Sequence, residues 1–214
     1  MKEVNKYKLI CVVLAIALLA SMTRLIVLIN NTSAIPHLSN ADVVMSNILQ
    51  RKSVRSFTNQ PIEKSKLDTL VRAAMAAPTG KDMRPWKFVV VNDKQAMKSL
   101  AAQLPYGKML AEAQAAIVVC GDMSVVDKDR KPSINWTFDC SAATENLLLQ
   151  AEAMGLGAVW TGAYPYDERV AAVKVALKLP DNIIPLNVIP IGYPKGNPQP
   201  KDKYNADNIH YNLW

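Results

Sequence analysis

Residues 139–165 read DCSAATENLLLQAEAMGLGAVWTGAYP, and the organisation of the domain can be worked outward from this stretch. Small and apolar residues recur at helical spacing on two neighbouring faces from about Asp139 to Met154. This pattern predicts a helix that is buried nearly all round. Gly155 and Gly157 are residues of the kind that end a helix, and AVWTG after them is typical of a strand. The stretch therefore predicts a buried helix that leads directly into a strand.

Helices and strands are predicted on both sides of this stretch. Strand patterns occur in WKFVVVND, in AAIVVCGD and in NVIPIGYP, and the second is apolar throughout, so we expect it at the centre of the sheet with both faces covered. Helical patterns occupy about 42–50 with Asp42 as N-cap, the segment from Pro61 to Pro78, residues 94–104, and the region of Val170 to Leu177. Trp86 and Trp160 are expected in the core. The count gives an α+β domain with four or five strands.

The first forty residues differ from the rest of the chain. Three lysines at positions 2, 6 and 8 precede an apolar run from Leu9 to Ala20, and a second apolar run extends from Leu25 to Ile29. A basic flank before such a run is typical of a secretory signal, and Leu9 to Ile29 is also long enough to span a bilayer. Arg24 lies near the far end and could reach the interface. Both interpretations leave the basic flank inside the cell.

Whether this segment is cleaved stays open. Leu18 is too large for a cut after Ala20, which favours an uncleaved anchor, although Thr32 and Ala34 would suit a later cut. A third alternative is a buried N-terminal helix of the globular domain. We expect residues 1–40 to be a signal-anchor or signal peptide with a linker from Asn30 to Asn40. A single globular domain, large enough for an enzyme, would then occupy residues 41–214.

Charge and cysteine content exclude several classes of function. Of the formal net charge of +7, the N-terminal segment carries +3, so the remaining domain has only a mild excess that does not call for nucleic acid. Cys11, Cys120 and Cys140 form no CxxC or His/Cys spacing, and we predict free thiols and no metal site. No internal repeat is present.

Three clusters outside the apolar core could carry chemistry. RKSVRSF, residues 51–57, places three cations and a hydroxyl within five residues, which suits an anion such as phosphate. On composition alone it could equally be a solvated basic helix end. APTGKDMRPW, residues 77–86, could present backbone donors and acceptors to a planar ligand. GLGAVWTGAYP, residues 155–165, is the third cluster.

The three clusters occur in a characteristic order and at characteristic distances. With them, the chain from about Ser46 to Trp214 resembles the nitroreductase superfamily of FMN enzymes. RKSVRSF is similar to the family's opening signature, Ala77-Pro78-Thr79 to its Ala-Pro-Ser turn, and residues 139–165 to its central helix and following strand. Asp82 and Arg84 depart from the pattern, because the family often has Asn and Gln there.

The resemblance implies which residues bind the cofactor. The FMN phosphate and the adjoining edge of the flavin would be held by the basic cluster and by two lysines of the C-terminal tail, while the turn and the strand would approach the ring. The implied cofactor-binding residues are Arg51, Lys52, Ser53, Arg55, Pro78, Thr79, Asp82, Thr161, Gly162, Ala163, Lys201 and Lys203. The backbone of residues 161–163 would lie near flavin N5 and O4. No acid or base from the protein is required, so no catalytic residue is assigned.

The implied fold is the α+β nitroreductase fold, with a mostly antiparallel central sheet flanked by helices, here preceded by an apolar N-terminal helix. The family forms homodimers whose FMN sites draw on both chains.

The implied reaction is a ping-pong transfer from NAD(P)H or another donor to a small acceptor such as a nitroaromatic or a quinone. Two alternatives are an exported flavin-binding electron-transfer protein and a member that has lost FMN and serves as a membrane-tethered scaffold. From the basic N-terminal flank we expect the flavin domain to lie outside the cytoplasmic membrane, in the periplasm if the cell has one.

Overall fold

The computed structural model describes residues 2–32 and 38–214, which divide into two compact units, residues 1–43 and 44–214. Residues 33–37 of the predicted linker, which include Ala34 of the predicted cleavage position, therefore lie outside the described residues. Helix α1, Lys2–Thr32, extends three residues into that predicted linker.

Helix α1 carries an apolar window from Ile10 to Val27 with a mean hydropathy of 2.5. The window is long and apolar enough to cross a membrane, and a signal sequence near an N-terminus meets the same test. None of the residues of this window is buried.

The larger unit is an α+β domain around a five-stranded sheet. Its strands are β1 (Trp86–Val91), β2 (Ala115–Asp122), β3 (Gly157–Ala158), β4 (Thr161–Gly162) and β5 (Ile183–Gly192). Their order is β1-β2-β5-β3, β4 also pairs with β5, and every pairing is antiparallel. The predicted α+β class and the antiparallel sheet are confirmed.

Helices cover both faces of this sheet. The described helices after α1 are α2 (Asn40–Gln50), α3 (Lys64–Met75), α4 (Lys94–Gln103), α5 (Gly107–Glu112), α6 (Trp136–Ala153) and α7 (Asp167–Leu177). Helix α2 has no buried residue, and the sheet is covered by α3 to α7. One core cluster joins α3 and α6 to side chains such as Ile117 and Ile189, and the other joins α4, α5 and α7 to Val118 and Val188. Strand β2 is buried along its whole length because it faces both clusters, as its apolar sequence predicts.

Two local predictions need correction. Ser39, and not Asp42, caps α2: the Ser39 hydroxyl accepts from the Asp42 N–H at 3.2 Å, while the Asp42 carboxylate accepts from the Ser39 N–H at 3.1 Å. This is the reciprocal pattern of a capping box. Trp86 is buried, but Trp160 is 38% exposed, because it lies in the gap between β3 and β4 where the chain leaves the sheet.

Candidate functional site

The basic cluster and the C-terminal tail meet in space. Arg51 follows α2 directly, and Ser53 forms a parallel bridge with Ala158 of β3, where the Val54 N–H donates to the Ala158 carbonyl at 3.0 Å. A cavity of about 250 Å³ is lined by Arg51, Lys52, Ser53, Arg55, Gln199, Lys201 and Lys203. Six of the sequence-predicted residues thus line one cavity, although about 150 positions separate the two segments.

Two of these cations are already paired with carboxylates of α6. Arg51 Nε lies 3.1 Å from Glu145 Oε1, and Lys52 Nζ lies 2.7 Å from Glu152 Oε1. Glu145 and Glu152 are seven residues apart, so they lie on one face of the helix. Two glutamates seven residues apart on a helix predicted to be buried were the signal in the sequence that could have identified partners for the cations of residues 51–55.

The other cations of the cavity are not paired in this way. Among the described residues, no carboxylate forms a salt bridge with Arg55, Lys201 or Lys203. Three like charges converge on one small cavity and repel one another unless an anion lies between them. The donor set, a hydroxyl with guanidinium and ammonium groups, suits a phosphate group.

The turn after α3 forms a separate part of the candidate site. Thr79 Oγ1 donates to Asp139 Oδ2 at 2.9 Å, the Gly80 N–H donates to Asp139 Oδ1 at 3.0 Å, and the Arg84 N–H donates to Thr79 Oγ1 at 3.0 Å. Asp139 is 5% exposed. The Thr79 hydroxyl thus donates to Asp139 and accepts from Arg84, so its proton is not available to a ligand. Nothing in the sequence indicated the role of Asp139.

Asp82, in the same turn, is bound by its neighbour. Arg84 Nε and Nη2 donate to the two Asp82 carboxylate oxygens, each at 2.7 Å. These hydrogen bonds, and the negative charge of Asp82, raise the pKa of Arg84 above its ordinary value. Both side chains are exposed, so any ligand at this turn would meet a neutral, paired unit and not a free carboxylate.

The third part of the candidate site is the short strand β4. Thr161 is buried, and its hydroxyl donates to the Val188 carbonyl of β5. The Ala163 N–H donates to the Leu186 carbonyl at 2.9 Å. None of residues 78–82 and none of residues 161–163 lines the basic cavity.

This chain matches a known protein family in its sequence and solved structures in its fold. The Nitroreductase family model matches residues 48–104 and 95–193. A structure from Bacteroides thetaiotaomicron, named for NADH dehydrogenase or NAD(P)H nitroreductase activity, is 52% identical, covers 83% of this chain and all of its own, and has a TM-score of 0.76.

Two further relatives extend the likeness. A protein of Methanothermobacter thermautotrophicus, also named for NADH dehydrogenase or NAD(P)H nitroreductase activity, is 39% identical over 80% of this chain and 87% of its own length. A Desulfovibrio desulfuricans structure, named a nitroreductase in complex with FMN, is 28% identical, covers 80% of this chain and 97% of its own, and has a TM-score of 0.68.

Proposed function

The chain belongs to the nitroreductase family, and from this premise we propose that it is an FMN-dependent oxidoreductase that passes electrons from NAD(P)H or another donor to a small acceptor. The observation that carries the proposal is the basic cavity between residues 51–55 and the C-terminal tail. Three of its cations, Arg55, Lys201 and Lys203, form no salt bridge among the described residues, and together they match an FMN phosphate, a monoester with close to two negative charges at neutral pH.

In this proposal, Arg55, Lys201 and Lys203 neutralise the phosphate directly, and Ser53 donates its hydroxyl. Arg51 is held at the edge of the cavity by Glu145, and it would share its guanidinium between that carboxylate and the phosphate. Lys52 is held more firmly by Glu152, since both side chains are less than one-fifth exposed. The two glutamates therefore orient the cations and also limit the net positive charge of the site.

The ring of FMN would contact the backbone at Pro78 and Thr79 and the backbone of residues 161–163. Asp82 would approach it only as the Asp82–Arg84 pair. When bound, FMN supplies two-electron redox chemistry between donor and acceptor. The protein's part is to bind the phosphate, to fix the backbone beside the ring and to keep positive charge near it, so we assign no acid or base residue.

The proposed acceptor is a nitroaromatic or a quinone, reached by ping-pong turnover in which donor and acceptor bind in succession. Turnover of this kind gives parallel lines in double-reciprocal plots of rate against donor concentration at several fixed acceptor concentrations. Intersecting lines would contradict the ping-pong mechanism without contradicting the cofactor.

Purified full-length protein in detergent should show the absorption bands of a bound flavin. An anaerobic screen with NADH, NADPH and a quinol should then bleach these bands with at least one donor. A colourless protein that takes up no added FMN would contradict the proposed cofactor. Bleaching without onward transfer to nitroaromatics or quinones would favour the electron-transfer alternative.

We also propose that the active form is a homodimer. Apolar side chains on α2, including Val44, Ile48 and Leu49, are exposed, and so are Leu213 and Trp214 at the end of the tail. Exposed apolar surface on this scale is typical of an interface. The turn at residues 78–82, which does not line the basic cavity of its own chain, would complete the site of a second copy.

A further inference from the structure

Arg169 holds three segments of the chain together. It lies in the first turn of α7, and its Nη1 donates to the Tyr106 hydroxyl at 2.5 Å and to the Gly162 carbonyl oxygen at 3.4 Å. Its guanidinium carbon lies 3.8 Å from the centre of the Tyr166 ring and 5.2 Å from that of Tyr106. One side chain thus connects the loop between α4 and α5, strand β4 and helix α7.

The contact with Gly162 fixes the orientation of a peptide plane. The Gly162–Ala163 peptide is held on one side by the hydrogen bond from Ala163 N–H to the Leu186 carbonyl, at 2.9 Å. Arg169 holds the carbonyl on the other side. Because a glycine restricts its own backbone weakly, the second contact supplies an orientation that Gly162 does not impose by itself.

The charge of Arg169 is only weakly compensated. The side chain is 21% exposed, and its one salt-bridge partner among the described residues is Glu168, at 3.8 Å with a side chain that is 74% exposed. An exposed pair of this length contributes little. Stacking on Tyr166 retains the positive charge and does not neutralise it. A fixed cation therefore remains beside β4.

We propose that Arg169 is a positioning residue for the redox reaction: it orients the Gly162 peptide and keeps a positive charge beside the flavin. This inference rests on the proposed function, in which residues 161–163 lie at the reacting edge of the ring. FMN gains negative charge on reduction, so a nearby cation stabilises the reduced cofactor more than the oxidised one. Arg169 should accordingly raise the midpoint potential of the bound FMN.

The test is the affinity of full-length R169M for oxidised and for reduced FMN, measured with the midpoint potential. Removing the charge should weaken binding of reduced FMN about tenfold more than binding of oxidised FMN. By linkage, the potential must then become more negative. A purely structural role would weaken both affinities equally and leave the potential unchanged, and that result would overturn the proposal.

Three controls complete the experiment. R169K keeps the positive charge but not the planar guanidinium group. It should therefore retain most of the wild-type preference for reduced over oxidised FMN. R72M removes an exposed arginine of α3 and should leave the potential unchanged. If R169M does not fold, R169Q also removes the charge but keeps an amide donor, and it should shift the potential in the same direction; an unchanged potential in R169Q would overturn the proposal. A wild-type protein that binds no FMN would instead contradict the proposed function.

Discussion

Arg51 shows how one side chain can be both structurally paired and available to a ligand. Its contact with Glu145 is a single Nε–carboxylate approach, and Glu145 is about half exposed. Such a pair contributes little to stability, so an incoming phosphate can compete for the guanidinium. Arg55 has no such competitor among the described residues. Substitution of the two arginines should therefore strongly weaken the binding of the cofactor and change the stability of the folded protein very little.

Replacing Arg51 and Arg55 together with alanine should release FMN and leave a folded apoprotein. Each charge-assisted hydrogen bond contributes about 1.5–3 kcal/mol, so the double substitution should raise the dissociation constant of FMN at least about 100-fold. Titration of the apoprotein with FMN measures this constant. Glu145→Gln is the matched opposite change: it frees Arg51 and should tighten binding by up to about fivefold. Stoichiometric FMN in the double variant would remove the phosphate assignment.

Asp122, at the end of β2, gives a residue-scale prediction about pH. Burial raises the pKa of its carboxyl, but hydrogen bonds from Ser124 and Asn182 and the charge of Lys87 outweigh burial, and the net pKa lies below the ordinary value of 3.8. Because the folded-state pKa is lowered, the stabilisation is present above the unfolded pKa and is lost as pH falls through the folded one.

Asp122→Asn should therefore lower the free energy of unfolding at pH 7, by about 1–2 kcal/mol. The difference from the wild type should shrink as pH falls below about 4, where the Asp122 carboxyl becomes neutral first in the unfolded chain and then, at lower pH, in the folded protein. Urea unfolding of both proteins at a series of pH values measures it. A difference that stays constant from pH 7 to pH 3 would show that the charge of Asp122 is not involved.

Among the elements, those with a strong apolar pattern could be predicted and those fixed by distant contacts could not. Helix α6 is predicted over about 139–154 and found at Trp136–Ala153, and Gly155, with a φ of 69°, follows it as predicted. AVWTG is predicted as one strand, but β3 and β4 are two short strands because they pair with β5 at separate registers. Helix α5 was missed, since six residues after Pro105 carry too short a pattern.

The candidate site follows the same division. The basic residues of 51–55 are visible in the sequence, but only resemblance to a family connects them with Lys201 and Lys203. The anchoring of the Thr79 turn by Asp139 depends on α6 packing beside that turn, which no local pattern encodes. The sequence therefore supplies the residues proposed to bind the cofactor, whereas the contacts that hold them in place can be seen only in the folded chain.

The turn after α3 depends on Asp139 because its backbone is strained. Lys81, Asp82 and Arg84 have φ values of 53°, 53° and 48°, in the left-handed region that costs a non-glycine residue about 1 kcal/mol or more. Asp139→Ala removes two hydrogen bonds to a carboxylate and should lower the free energy of unfolding by about 2–4 kcal/mol, with weaker FMN binding. Asp139→Asn keeps one acceptor and should cost about half as much. Unchanged FMN affinity in a destabilised Asp139→Ala protein would separate the turn from the cofactor site.

For the whole molecule, the proposed dimer links assembly to cofactor binding. If each FMN site draws on two chains, FMN binds the dimer and not the separated monomer, so dilution that dissociates the dimer must also release flavin. Light scattering and flavin fluorescence recorded over the same range of protein concentration should change together. A monomer that retains FMN would contradict a shared site.

The last prediction concerns where the flavin domain is located, which α1 and its flanks determine. Lys2, Lys6 and Lys8 precede the apolar window Ile10–Val27, while the sequence from Leu25 to Asn40 has no lysine or arginine. By the positive-inside rule the N-terminus should stay in the cytoplasm and the domain after Asn40 should be exported. There NAD(P)H is scarce, so a membrane quinol or a partner reductase becomes the expected donor.

An alkaline phosphatase fusion after Asn40 should be active and a green fluorescent fusion at the same position dark. A fusion after Asp93, inside the larger unit, should follow the same pattern, because no second membrane-spanning helix is found among the described residues. The reverse pattern would place the domain on the cytoplasmic side and make NAD(P)H the expected donor.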